Sequence, residues 1–410
     1  MKTGTTPSGL QYAVRRGGAA VGYCALSIRC GTRDEAGFHG GIAHFTEHTL
    51  FRGTARKSAS VINSYLDRLG GELNAFTTKE EIVLHATVLK EDLGKAARLL
   101  FELALEATFP EDEIETERGV VLDEIISYKD NPYEDVYDKF EGMLFSGHPL
   151  GAPILGTAAS VKKITSEELR RFRASFFTPE RMVLSLVADI DEALLEKRAV
   201  ALAEKVFPAA SCAGESPARG LSAPAAPPFD KTVDKRNHEV NAVLGGFAPS
   251  LYDDPGRTVA AMLVNILGGP ASNSLLNKEL REKNGWVYNI ECSYTQYADT
   301  GIVAIAFGCD RPNLDRCLVS IRRILDRLRE KPLGERQMAG YRKQLLGQLA
   351  ISSDNGEAQC LAMGKSMLAW GKVTPPAALR AQLEAVKPED LRQMALRLFA
   401  PESLSKLIYL

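Results

Sequence analysis

No stretch of this chain is apolar for long enough to cross a bilayer, which takes about 20 consecutive apolar residues in a helix, so a membrane-spanning helix is not expected. Charge of one sign is also missing. Lys and Arg number 50 against 52 Asp and Glu, a net charge of -2. A nucleic-acid binder should show a basic excess or stripe, and none is apparent. Cysteine is sparse and scattered, at positions 24, 30, 212, 292, 309, 317 and 360, with no C-x-x-C pair. That spacing argues against a disulfide framework and against a cysteine zinc site, and predicts buried free thiols. The opening MKTGTTPSGLQYAVRR lacks the apolar core of a secretory signal, so the default expectation is a cytoplasmic protein.

What is present is ordinary globular material: 45% hydrophobic and 25% charged residues over 410 positions, enough for two domains rather than one core. Residues 19–30 (AAVGYCALSIRC) predict a strand, 39–52 and 58–69 two helices, 72–77 and 81–88 two strands, then helices near 90–107 and 111–129. Between 207 and 230 the chain reads FPAASCAGESPARGLSAPAAPPFD, where periodicity disappears and a linker is expected. After it the order recurs. A strand at 237–247 precedes helices at 253–268 and 273–283, strands at 286–296 and 300–309, and a long helix at 312–330. The repetition predicts two homologous α+β domains, 1–206 and 231–410, each a largely antiparallel sheet with helices packed on one face.

One pentapeptide carries chemistry. His44-Phe45-Thr46-Glu47-His48 places two imidazoles four residues apart on a predicted helix, so both project from one face a turn apart. That spacing suits two nitrogens converging on one zinc ion, and Glu47 lies close enough to reach a water there without being a ligand. H-x-x-E-H is the reverse of the common H-E-x-x-H zinc motif. A catalytic zinc takes three protein ligands and keeps a position open, so a third ligand is expected elsewhere. In 111–129, Glu117 and Glu124 are seven residues apart on one helix face. Val120, Val121, Leu122, Ile125 and Ile126 make that helix read as apolar on most sides. An acid in such surroundings is expected to have a partner.

At this point the sequence resembles the pitrilysin and mitochondrial-processing-peptidase superfamily, in its short bacterial form. That family follows H-x-x-E-H, some 75 residues on, with a helix reading E-R-x-x-V-x-x-E, and here Glu117-Arg118 precedes Glu124 by that interval. The resemblance implies one zinc per chain held by His44, His48 and Glu124, with Glu47 as general base and Glu117 as the acid orienting a ligand histidine. Phe51-Arg52-Gly53-Thr54 resembles the family's F-x-G-T. Asn74-Ala75-Phe76-Thr77 resembles its N-A-x-T segment and implies a strand that pairs with extended substrate. Leu280-Arg281-Glu282 through Tyr288 resembles L-R-E-x-x-G-x-x-Y, implying that Arg281 clamps substrate and Tyr288 steadies the oxyanion. Two departures stand nearby: Leu275 sits where arginine is common, and Pro270 lies in the preceding glycine loop. The resemblance thus implies a zinc metalloendopeptidase acting on unfolded peptides or presequence-like segments, assembled as a homodimer. It leaves two alternatives, a catalytic subunit needing a non-catalytic paralogue and a non-enzymatic scaffold subunit.

Overall fold

The computed structural model describes residues 1–18, 20–208, 222 and 224–410. Cys212, most of the expected linker (209–221 and 223) and the first residue of the strand expected at 19–30 lie outside the described residues. In the first half the order is β1 (Lys2–Thr5), β2 (Gln11–Arg16), β3 (Val21–Ile28), α1 (Ile42–Leu50), α2 (Ala59–Asn63), β4 (Glu72–Thr77), β5 (Ile82–Leu89), α3 (Leu93–Glu106), α4 (Glu111–Asp130), α5 (Pro132–Leu144), α6 (Ala158–Val161), α7 (Ser166–Phe176), β6 (Met182–Ala188) and α8 (Glu192–Val206). The second half runs β7 (Asp230–Val233), β8 (Val240–Ala248), α9 (Asp254–Gly268), β9 (Val287–Gln296), β10 (Gly301–Cys309), α10 (Leu314–Glu330), α11 (Glu335–Asp354), α12 (Gly356–Trp370), α13 (Pro376–Ala385), α14 (Pro388–Leu398) and β11 (Ser405–Tyr409).

The first sheet has the order β1-β2-β6-β3-β5-β4, the second β7-β11-β8-β10-β9. Leaving β1 aside, the orders correspond strand for strand. Each sheet is antiparallel except for one parallel pair, β2 with β6 in the first and β7 with β11 in the second. The duplication read from the sequence is therefore a duplication of topology. Strand alternation decides what each face carries. In β3, Cys24, Leu26 and Ile28 point into a core shared with α1, α3, α7 and α8. In β10, Val303, Ile305 and Phe307 point into one shared with α9, α10 and α14.

Helices pack on one face of each sheet as expected, and one more helix reaches the other face of each. The chain divides into two compact units, Met1–Ile125 with Ala152–Gly220 and Ala350–Thr374, and Ile126–Gly151 with Leu221–Leu349 and Pro375–Leu410. These units are not the two halves expected from the sequence. Helix α12 belongs to the first unit, where Cys360, Met363 and Met367 form a stripe over Ala13, Ala25, Val83 and Val183. It comes close because residue 364 is glycine: a Cβ there would lie 2.4 Å from Ser27 Oγ. Helix α5 belongs to the second unit, where Val136, Phe140 and Leu144 cover Val243, Ile302, Ala304 and Leu407. The physical reason is that each sheet has two apolar faces, and a helix stripe at three- and four-residue spacing fits any of them.

Phe140 tests the α5 contact. It is fully buried, with its ring 5.4 Å from that of Phe229. Phe140→Ala is expected to cost about 3–5 kcal/mol of stability in the second unit. Chemical denaturation followed by hydrogen exchange at Ile302–Ala306 checks it, and unchanged protection there would remove α5 from that core.

The six described cysteines are buried and none of them is in a disulfide. Among the described residues no helix is long and apolar enough to cross a membrane.

Candidate metal centre

Helix α1 begins at a residue no other side chain fits easily. Gly41 has φ +89°, and a Cβ there would meet the Leu155 carbonyl oxygen at 2.8 Å. Glycine offers no side chain to cap the helix, so a distant acid does it. Glu35 Oε2 accepts from the Gly41 N–H at 2.9 Å and Oε1 from the Ala43 N–H at 3.0 Å, satisfying donors that every helix start leaves open. Burial pushes the Glu35 carboxyl up to about 7, against the pull of these two N–H groups. Eight of the nine residues of α1 are buried.

From this helix His44 and His48 turn their rings towards α4, with centroids 4.5 Å apart. His44 Nε2 and His48 Nε2 each lie 3.6 Å from the same oxygen of Glu124, Oε2. That oxygen is buried and has no hydrogen-bond partner among the described residues. The three donor atoms lie within 4.8 Å of one another, and among the described residues no other group of three or more His, Cys, Asp or Glu could hold a metal ion. Ligands bonded at 2.0–2.1 Å in a tetrahedron are ~3.3 Å apart, and the two histidine-to-Glu124 separations of 3.6 Å stand close to that. Two imidazoles and a carboxylate are a donor set zinc accepts, and an orphaned buried oxygen facing both rings is what a metal position looks like from the protein side. The residues fit the ion.

The electrostatics differ from one donor to the next. Burial, with His48 adjacent, pulls the His44 ring down to about 3, so it presents a neutral nitrogen as metal ligation requires. At His48 burial also pulls down, but the Glu117 hydrogen bond and the charges of Glu47, Glu117 and Glu124 outweigh it, and the ring is raised. Burial raises Glu124, partly countered by His48. Glu117 reaches His48 Nδ1 at 2.7 Å, which leaves Nε2 as the nitrogen facing Glu124. Its other oxygen meets the Arg52 guanidinium. Burial raises Glu117, but His48 and Arg52 outweigh it and its carboxyl is lowered. His44 Nδ1, by contrast, has no hydrogen-bond partner among the described residues, so no acid behind that ring orients it as Glu117 does for His48.

Glu47 is 8% exposed and accepts from Thr77 Oγ1 at 2.7 Å. Burial raises its carboxyl, with Thr77 and His48 pulling the other way. The four residues of the expected substrate strand divide by alternation. Ala75 and Thr77 lie on the α1 side of β4. Phe76 packs with α12, its ring 6.0 Å from His85, which pairs with Glu357 at 3.0 Å, and Asn74 alternates onto the same side. Among the described residues β4 pairs with β5 alone and forms the end of its sheet.

Arg281 and Tyr288 belong to the second unit. Arg281 is exposed in a π-helical turn, Asn277–Lys283, a backbone form often met at functional sites. Tyr288 is 52% exposed and donates to Asp310 Oδ1 at 2.7 Å. Helix α4 departs from its expected character: Val120 and Ile126 are exposed, and its buried face is the single stripe Ile114, Glu117, Arg118, Val121 and Ile125. Glu124 therefore sits at the edge of that stripe rather than among apolar residues on all sides. Sequence reasoning gave no role to Arg52, Glu35 or Asp310. Arg52 was within reach, since on the helix expected over 39–52 it follows His48 by four residues, although α1 itself ends at Leu50 and Arg52 lies in the turn beyond it.

Comparison with known proteins follows this geometry. Residues 13–158 match the family described as Insulinase (Peptidase family M16), and residues 163–345 match the Peptidase M16 inactive domain. An uncharacterized zinc protease of Streptomyces coelicolor is 30% identical over 367 residues, covering 89% of this chain and 80% of its own. In fold, a protease from Helicobacter pylori superposes with a TM-score of 0.89 at 19% identity, over 100% of this chain and 99% of that one. A chain of complex III2 from Candida albicans does so with 0.84 at 17%, over 100% and 95%. A matched pair of family domains and a relative of this identity and coverage place the chain in peptidase family M16, the insulinase and pitrilysin family.

Proposed function

We propose that the protein is a zinc metalloendopeptidase that cuts unfolded or extended peptides. The observation that carries this reading is the convergence of His44 Nε2 and His48 Nε2 on one orphaned oxygen of Glu124, beside the buried carboxylate of Glu47. A zinc ion held by His44, His48 and Glu124 would polarise a peptide carbonyl and make a water acidic enough to deprotonate near neutrality. Glu47 takes that proton and returns it to the leaving amine, and its raised pKa suits a group that must both accept and release. Glu117, backed by Arg52, holds the His48 ring in the tautomer that offers Nε2.

Substrate in extended form would add to the open edge of β4, so that main-chain hydrogen bonds to Asn74–Thr77 give grip without demanding one sequence. Arg281 is assigned to the substrate backbone and Tyr288 to the oxyanion, roles supported by their exposure and by the family's motif. A homodimer is the assembly that goes with a chain carrying both sets of residues.

Purified protein should contain about one zinc per chain and should cut a mixture of disordered peptides at internal bonds, in a manner abolished by a chelator and restored by zinc. Peptides left intact by zinc-loaded protein would sink the reading. The likeness in fold to a Candida albicans complex III2 chain supports one other reading, a scaffold subunit without activity. It requires that the protein carry no zinc.

A further inference from the structure

Glu47, assigned as general base, is a long side chain with three torsions, and among the described residues no side chain of α1 hydrogen-bonds its carboxylate, although His48 acts on it through its charge. Among the described residues it makes one hydrogen bond, from Thr77 Oγ1 to Oε2 at 2.7 Å. Among those residues Oε1 has no hydrogen bond. Thr77 is the last residue of β4, paired with Ile82 of β5. A β-branched side chain in a strand has a stiff χ1, so the direction of its hydroxyl is fixed by the strand backbone. The strand at whose open edge an extended peptide would add is thus also the strand that holds the base.

We propose that Thr77 is a positioning residue: its hydroxyl fixes Glu47 with Oε1 turned to the attacking water, and it ties the base to the backbone that registers the substrate. This role differs from contact with substrate, which the resemblance to the family's N-A-x-T segment implies for the strand that holds Thr77. It rests on the peptidase reading above. A proton is not moved by Thr77. Its hydroxyl donates to one carboxylate oxygen throughout, and the other oxygen does the accepting. A buried carboxylate with no such donor would sample several rotamers, and a displacement of about 1 Å at a reacting group can lower rate by ~10²-fold.

The test uses Thr77→Val, which keeps the shape and the β-branch but loses the hydroxyl, and Thr77→Ser, which keeps the hydroxyl. Zinc content and KM for an extended peptide should stay within about 2-fold of the unaltered chain, while kcat falls ~10–100-fold in Thr77→Val and is largely restored in Thr77→Ser. A second measurement needs no metal and no turnover. In zinc-free protein, melting temperatures of Thr77→Val, Glu47→Ala and the double variant should be non-additive by ~2 °C or more, because the second change removes a partner already gone.

Three results would overturn the proposal: an unchanged kcat in Thr77→Val, equal losses in Thr77→Val and Thr77→Ser, or zinc lost in step with activity. Additive melting temperatures would overturn it as well. Should the unaltered, zinc-loaded chain cleave nothing, the peptidase reading fails first. Should it cleave and Thr77→Val cleave equally well, only the role of Thr77 falls.

Discussion

Glu47→Gln is expected to bind zinc as tightly as the unaltered chain and to cleave peptides ~10²–10⁴-fold more slowly, the usual worth of a positioned general base. The amide has nearly the shape of the carboxylate and can still accept from Thr77 Oγ1, so the contact at 2.7 Å survives. What it loses is the ability to take a proton. Because Glu47 is not among the three convergent donors, its amide leaves the donor set of His44, His48 and Glu124 intact. Zinc measured by atomic absorption, alongside single-turnover cleavage of a fluorogenic peptide, separates the two effects. Retained turnover at full zinc occupancy would show that another group takes the proton.

Glu124→Ala is expected to do the opposite and remove the ion itself. Changes to residues behind metal ligands typically cost 10–100-fold in affinity, and loss of one of three ligands should cost more, at least ~10²-fold. Glu124 Oε2 is the atom that both rings share, each at 3.6 Å, so its removal leaves two imidazoles with nothing to complete the set. The carboxyl is about one third exposed, so its truncation opens no sealed cavity and the fold should hold. Competitive zinc titration against a chromophoric chelator reads the effect directly. A variant that keeps stoichiometric zinc would mean that the ion is bound elsewhere and that the convergence has another purpose.

The sequence made some of this plain and hid the rest for reasons that can be named. Strand β4 runs from Glu72 to Thr77, the span expected from its residue types and from the Gly70-Gly71 stop before it. The helix expected over 58–69 is instead Ala59–Asn63 followed by a separate 3-10 turn at Asp67–Leu69, so amphipathic spacing overestimated its continuity. Strands β6 and β11 were not anticipated. β6 is buried at every position and has no alternation to betray it, and β11 has only five residues. At the metal centre, His44 and His48 were legible because helix spacing alone brings them together. Glu124 was only partly so: the apolar residues around it said that it should have a partner, but nothing local says which face of α4 meets α1, and the family's pattern supplied its pairing with the two histidines. The Thr77 hydrogen bond follows from which side of β4 faces α1, and that depends on a register no single strand encodes. The same limit hid the exchange of α5 and α12, whose stripes say that they cover a sheet without saying which.

That exchange has a consequence for synthesis of the chain. When residue 206 has left the ribosome, the strands of the first sheet are all present, yet the face made by Ala13, Ala25, Val83 and Val183 still awaits Gly356–Trp370. At typical elongation rates the wait is on the order of 10 s, long compared with the folding of most single domains. A bare apolar sheet for that interval is a target for chaperones. It also means that a gene cut between the halves would yield two fragments, each holding a helix that belongs to the other.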